Sequence, residues 1–158
     1  MTAIDGGARH LAREAALQML YQWEVGRVSA HEAVATYWPG RDAPPGDEDE
    51  YADRRPELAV DEHGRVFANE LVAGTIARLA DLDALIGAHT KNWRIERLAV
   101  IDRLVLRLAI FELLTETQTP ATVVINEALE LARTFSGEEP IPLINGVLDA
   151  VRKTLERE

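Results

Sequence analysis

The sequence predicts an all-α protein of about seven helices in two packed helical subdomains around a central apolar helix. Three observations carry that expectation. Apolar residues recur at three- and four-residue spacing through most of the chain, and no run of strand length alternates apolar with polar. The stretch from Ile95 to Leu114, IERLAVIDRLVLRLAIFELL, is apolar at fourteen of twenty positions without keeping to one face. A helix that is apolar nearly all round belongs inside a bundle. Twenty helical residues span about 30 Å, roughly the width of a small domain. This stretch is the expected pillar, with a short turn ahead of it if Asp102 caps a later start.

The first helix is expected over about Ala8 to Val25, ending near Gly26. On a helical wheel Ala8, Leu11, Ala12, Ala15, Ala16, Met19, Leu20 and Trp23 share the inward side. Arg9, His10, Arg13, Glu14, Gln18 and Glu24 share the other, and Tyr21 falls among them, within about 20° of His10 and Glu14 in projection. Ser29 is a suitable N-cap for a short helix through Tyr37, closed by Trp38, Pro39 and Gly40. Residues 41–57 hold prolines, a glycine, an acidic run and no periodic apolar residues, so a mobile, solvated linker is expected there.

Helical spacing resumes from Glu57 to Ala88, with Val66, Phe67, Leu71, Val72, Ile76, Leu79, Leu82, Leu85 and Ile86 in one stripe and a break at Asp81 or Asp83. After a turn at Thr90 to Trp93 comes the pillar. Thr119 and Pro120 read as the N-cap and first residue of a helix to about Phe135, closed by Gly137. Pro140 and Pro142 open the last helix, whose Leu143, Ile144, Val147, Leu148, Val151 and Leu155 face inward. The expected organisation is one domain, residues 1–158, with an N-terminal subdomain over about 8–90 and a C-terminal one over about 94–158.

The chain has 158 residues and no cysteine, which excludes disulfides, zinc-thiolate sites and cysteine nucleophiles and suits a reducing cytoplasm. MTAIDGGARH contains no apolar targeting region, and the apolar pillar is interrupted by charge too often to span a bilayer, so a soluble protein without a membrane partner is expected. A net charge of −10 argues against gripping nucleic acid by bulk electrostatics. Most of that charge is local, because the segment from Asp42 to Glu62 carries nine acids against two arginines. Only Lys91 and Lys153 among the 17 basic residues are lysine, and arginine suits planar recognition of phosphates and bases.

Catalytic chemistry finds no assembled motif. None of His10, His31, His63 and His89 has a glutamate three residues before it, and no HExxH, phosphate-binding glycine loop or GxSxG occurs. The i,i+4 pairs His10 with Glu14 and Glu112 with Glu116 read as solvated or capping contacts. No catalytic residue, metal or cofactor is expected, and the protein reads as a non-enzyme.

Three blocks carry a family resemblance. Residues 12–23, AREAALQMLYQW, resemble the opening helix of the NusB transcription antitermination factors, and residues 104–113, LVLRLAIFEL, resemble that family's central helix. The third block is INEALELA from Ile125, then Phe135, then INGVLD from Ile144. Together they are similar to the NusB family over nearly the full length, the acidic loop diverging. The resemblance implies an RNA-binding adaptor in antitermination of ribosomal RNA operons. Its partners would be single-stranded boxA-type leader RNA, the ribosomal protein NusE, and the antitermination complex of RNA polymerase. The fold also fronts some ribosomal RNA methyltransferases, but with the chain ending at Glu158 that branch is not expected.

On the residues themselves, single-stranded RNA is read by aromatic stacking plus cationic contacts, and Tyr21 beside Arg9, His10 and Arg13 offers both, with Gln18 on the same face. The resemblance extends the RNA surface to Asp102 at the start of the pillar and to Glu139 and Leu143 before and at the last helix. Leu143 stands where the family has phenylalanine, and Pro140 and Pro142 replace polar and basic residues. Asn126, Asn145 and Gly146 read as structural, the asparagines tying the last two helices by side-chain hydrogen bonds and the glycine permitting close helix contact. The competing reading is a homodimeric scaffold of the same fold whose first helix is covered by a second copy.

Overall fold

The computed structural model describes residues 6–42, 59–90 and 95–157. Among the described residues the chain forms seven α-helices and no strand: α1 Gly6–Val25, α2 Ala30–Asp42, α3 Glu62–Ala77, α4 Leu79–His89, α5 Val100–Thr115, α6 Ala121–Phe135 and α7 Ile141–Thr154. None is long and apolar enough to cross a membrane. Of the loop expected over 41–57, residues 43–57 lie outside the described residues, as do the start expected at Glu57 and residues 91–93 of the turn before the pillar.

Two compact units emerge, Met1–Glu70 and Leu71–Glu158. The division falls inside α3 rather than near residue 90. Thus α4, expected in the N-terminal subdomain, belongs to the second unit, where its Leu82 and Ile86 are buried and it packs on α5 and α7.

In the first unit α1 packs on α2, with Ala12, Ala15, Ala16, Leu17, Met19 and Leu20 buried. Ser29 caps α2 as expected, its Oγ accepting the Glu32 N–H at 3.0 Å. That helix does not stop at Tyr37: it continues to Asp42 with Pro39 inside its last two turns. Trp38 supplies the reason. It is buried, stands edge-on to Tyr37 at 4.9 Å, donates Nε1–H to Asn69 Oδ1 at 2.9 Å, and carries the Arg65 guanidinium 4.7 Å above its ring. These contacts offset the one backbone bond that proline cannot make. Asp61 caps α3, its Oδ1 accepting the Gly64 N–H at 2.8 Å. Val66, placed in the inward stripe by its spacing, is 51% exposed.

The second unit is built on α5, which packs against α4, α6 and α7. Every residue from Leu104 to Ile110 is buried, so Arg107 is buried with them. Its charge is answered by Asp83, which accepts Nε–H at 2.7 Å and Nη2–H at 2.9 Å. Asp83 is thereby used for pairing, and the break between α3 and α4 falls at Arg78, where φ is −109°. A 3₁₀ turn, Ile95–Arg97, precedes α5, whose N-cap is Ala99, so Asp102 sits in the first turn and does not cap it. At the other end Arg157 donates to the carbonyls of Leu113, Glu116 and Thr119, satisfying acceptors that a helix terminus leaves open.

Pro120, not Thr119, is the N-cap of α6. Gly137 closes it at φ +124°, donating its N–H to the Ala132 carbonyl at 2.8 Å. In α7, Ile144, Val147, Leu148 and Val151 are buried, and Leu143 and Leu155 are half-buried.

The structural roles expected of Asn126, Asn145 and Gly146 are corrected. Each asparagine follows a buried isoleucine, Ile125 or Ile144, and the 100° helical step turns it out to solvent. Neither side chain hydrogen-bonds among the described residues. Gly146 is exposed too, and among the described residues a methyl group there would meet nothing within 4 Å, so none of their helices leans on it.

The close approach belongs instead to Gly74, where an added Cβ would lie 2.0 Å from Phe111 Cζ. Gly74→Ala is expected to lower unfolding free energy, the overpacking of about 1–3 kcal/mol outweighing the ~1 kcal/mol gain in helix preference. Adding Phe111→Leu should recover part of the loss in urea denaturation. A more stable single mutant would contradict the packing described.

Candidate nucleic-acid interface

The polar face of α1 divides into two rows, and their side chains are employed differently. Arg9 and Arg13 lie one turn apart, with their guanidinium carbons 4.7 Å and 5.6 Å from the centre of the Phe67 ring on α3. A guanidinium over an aromatic face gains cation–π attraction and buries its stem. Arg13 is only 3% exposed. The expectation that it offers an accessible charge is therefore corrected: its side chain is packed against Phe67 as part of the core. Arg9 is half-buried.

The second row runs His10, Glu14, Gln18, Tyr21. His10 Nε2 lies 3.0 Å from Glu14 Oε1, an i,i+4 contact on the surface. Tyr21 is 39% exposed and ends the row one turn before Val25, itself 49% exposed. An exposed aromatic ring offers the face on which an unpaired base stacks.

Gln18 is tied to α2. Its Oε1 accepts the Tyr37 hydroxyl at 2.5 Å, and that hydroxyl oxygen accepts Arg41 Nη1–H at 3.0 Å. Burial raises the Tyr37 pKa above the ordinary phenol value while Arg41 pulls it down, and the net rise keeps the phenol a neutral donor at physiological pH. This relay has no counterpart in the sequence pattern, because nineteen residues separate Gln18 from Tyr37. A groove of about 380 Å³ opens beside it between α1 and α2.

Asp102, Glu139 and Leu143 belong to the second unit. Asp102 is 8% exposed in the first turn of α5, where the helix dipole favours a negative charge, and its Oδ1 has no hydrogen-bond partner among the described residues. Glu139 is exposed just ahead of α7, and Leu143 is half-buried in its first turn. The RNA-facing residues expected from the sequence thus fall into an α1 group in the first unit and these three in the second.

The sequence profile of the NusB family matches residues 10–153. The transcription antitermination protein NusB of Solibacter usitatus is 40% identical over 148 residues, covering 94% of this chain and 90% of that protein. The chain is also similar in structure to Thermotoga maritima NusB, at TM-score 0.75 and 28% identity, over 97% of this chain and 93% of that one. A crystal structure of the antitermination factors NusB and NusE in complex with double-stranded RNA matches at TM-score 0.73 and 22% identity, over 93% and 97% of the two chains. At that identity it speaks to the fold.

Because Arg13 is packed rather than displayed, Arg13→Ala is expected to cost about 1–2 kcal/mol of stability, and Arg9→Ala less. Thermal or urea unfolding of the two variants measures this directly. Equal and negligible losses would show that the Phe67 stack holds nothing in place.

Proposed function

The chain belongs to the NusB family, and on that basis we propose that it is a non-enzymatic RNA-binding adaptor of transcription antitermination in ribosomal RNA operons. It takes single-stranded boxA-type leader RNA together with NusE and joins the antitermination complex of RNA polymerase in the cytoplasm. The observation that carries this reading is Tyr21, exposed on α1 in line with His10 and on the same helix as Arg9. A stacked base contributes about 1–3 kcal/mol. That is a large share of the affinity where few cations are present to neutralise phosphates.

On this reading Arg9, His10, Gln18 and Tyr21 contact RNA, and Arg13 holds α1 in place beneath them. In the second unit Asp102, Glu139 and Leu143 are the proposed contacts. The exposed pair Tyr21 and Val25 also supports a second reading, self-association through α1, because the two side chains lie one turn apart and make an apolar strip.

Fluorescence anisotropy of a labelled boxA-type single strand, with and without NusE, tests the proposal. Binding is expected to be weak alone, tighter with NusE, and lowered roughly 5- to 150-fold by Tyr21→Ala. Arg9→Ala should weaken binding and reduce the salt slope by about one. Absence of binding in either condition, with a concentration-dependent dimer lost in Tyr21→Ala, would favour self-association.

A further inference from the structure

We propose that the groove between α1 and α2 is a nucleobase pocket, receiving the base next to the one stacked on Tyr21. The inference rests on the RNA-binding reading and adds to it a second recognition site on a different helix. The groove, about 380 Å³, is lined by Gln18 and Gln22 of α1 and by Thr36, Tyr37, Gly40 and Arg41 of α2. That volume lies within the range of small-molecule sites. Tyr21 follows Gln18 by three residues in α1, which makes the two side chains neighbours on the helix surface, so the base next to one stacked on its ring comes within reach of the groove's α1 wall.

The polar groups on the wall decide what fits. Gln18 Oε1 is committed to the Tyr37 hydroxyl, which leaves the Gln18 amide NH₂ as a donor held in a fixed orientation. Thr36 donates its hydroxyl to the Glu32 carbonyl at 2.8 Å, which leaves its oxygen as an acceptor. Gln22 is exposed and carries both kinds of group. Arg41 is engaged with Tyr37 and positions that hydroxyl. A phosphate calls for donors alone, whereas the edge of a base presents donors and acceptors together, as this wall does. Gly40 contributes no side chain to the lining, and a Cβ there would meet nothing within 4 Å among the described residues.

An abasic scan of a boxA-type single strand, read by anisotropy with the wild-type protein, Tyr21→Ala and Gly40→Leu, tests the pocket. Gly40→Leu adds bulk at a position that lines the groove. With wild type, abasic substitution at two adjacent nucleotides is expected to weaken binding about tenfold each. Tyr21→Ala should abolish the sensitivity at one of them and Gly40→Leu at the other. Circular dichroism melting of Gly40→Leu confirms that it is folded. If folded Gly40→Leu binds with wild-type affinity and an unchanged scan, the pocket is overturned while RNA binding through Tyr21 stands. If wild type binds no RNA, both readings fall.

Discussion

The ring of Phe67 determines what α1 can present. Two arginines one turn apart bring their guanidinium groups to it, and the inner one, Arg13, is almost wholly covered. The inward side of α1 buries Leu17, Met19 and Leu20 in its second half, while Ala12, Ala15 and Ala16 leave less bulk nearer its start. The stack on Phe67 constrains that start from the polar flank, and it leaves Tyr21 facing outward two turns further along. A surface that reads single strands mainly by stacking depends on the orientation of its aromatic more than on the number of its charges. The acidity of the chain is consistent with such a surface.

The second unit meets the opposite problem, a helix whose whole circumference is covered. Burying α5 on all sides draws Arg107, Asp102 and Glu112 inward with the apolar residues. A buried charge is costly unless paired, and Asp83 answers Arg107 through two parallel hydrogen bonds that join α4 to α5. Arg157 performs a related service at the end of α5, where three carbonyls converge on one guanidinium. Both arginines hold elements of this unit together.

The helices were legible in the sequence because apolar periodicity records burial directly, and Ser29 and Gly137 mark their boundaries by local chemistry. What depended on distant partners was not. Pro39 reads as a stop until Trp38 is anchored by Asn69 and Arg65, and Asp83 reads as a break until Arg107 claims it. Arg13 was placed on the right helix face, but a wheel carries no information about a long side chain lying against Phe67. Asn126 and Asn145 failed for a simpler reason. One residue past a buried isoleucine is a 100° turn, enough to leave the interface. At the candidate site, exposure of Tyr21 followed from the pattern, whereas the Arg41–Tyr37–Gln18 relay required the fold.

The most direct test of RNA docking on α1 is photocrosslinking of a boxA-type single strand carrying 4-thiouridine, followed by mass spectrometric mapping of the attached peptide. The account predicts adducts on the peptide containing Tyr21. Adducts confined to residues 71–157 would place RNA elsewhere and contradict it.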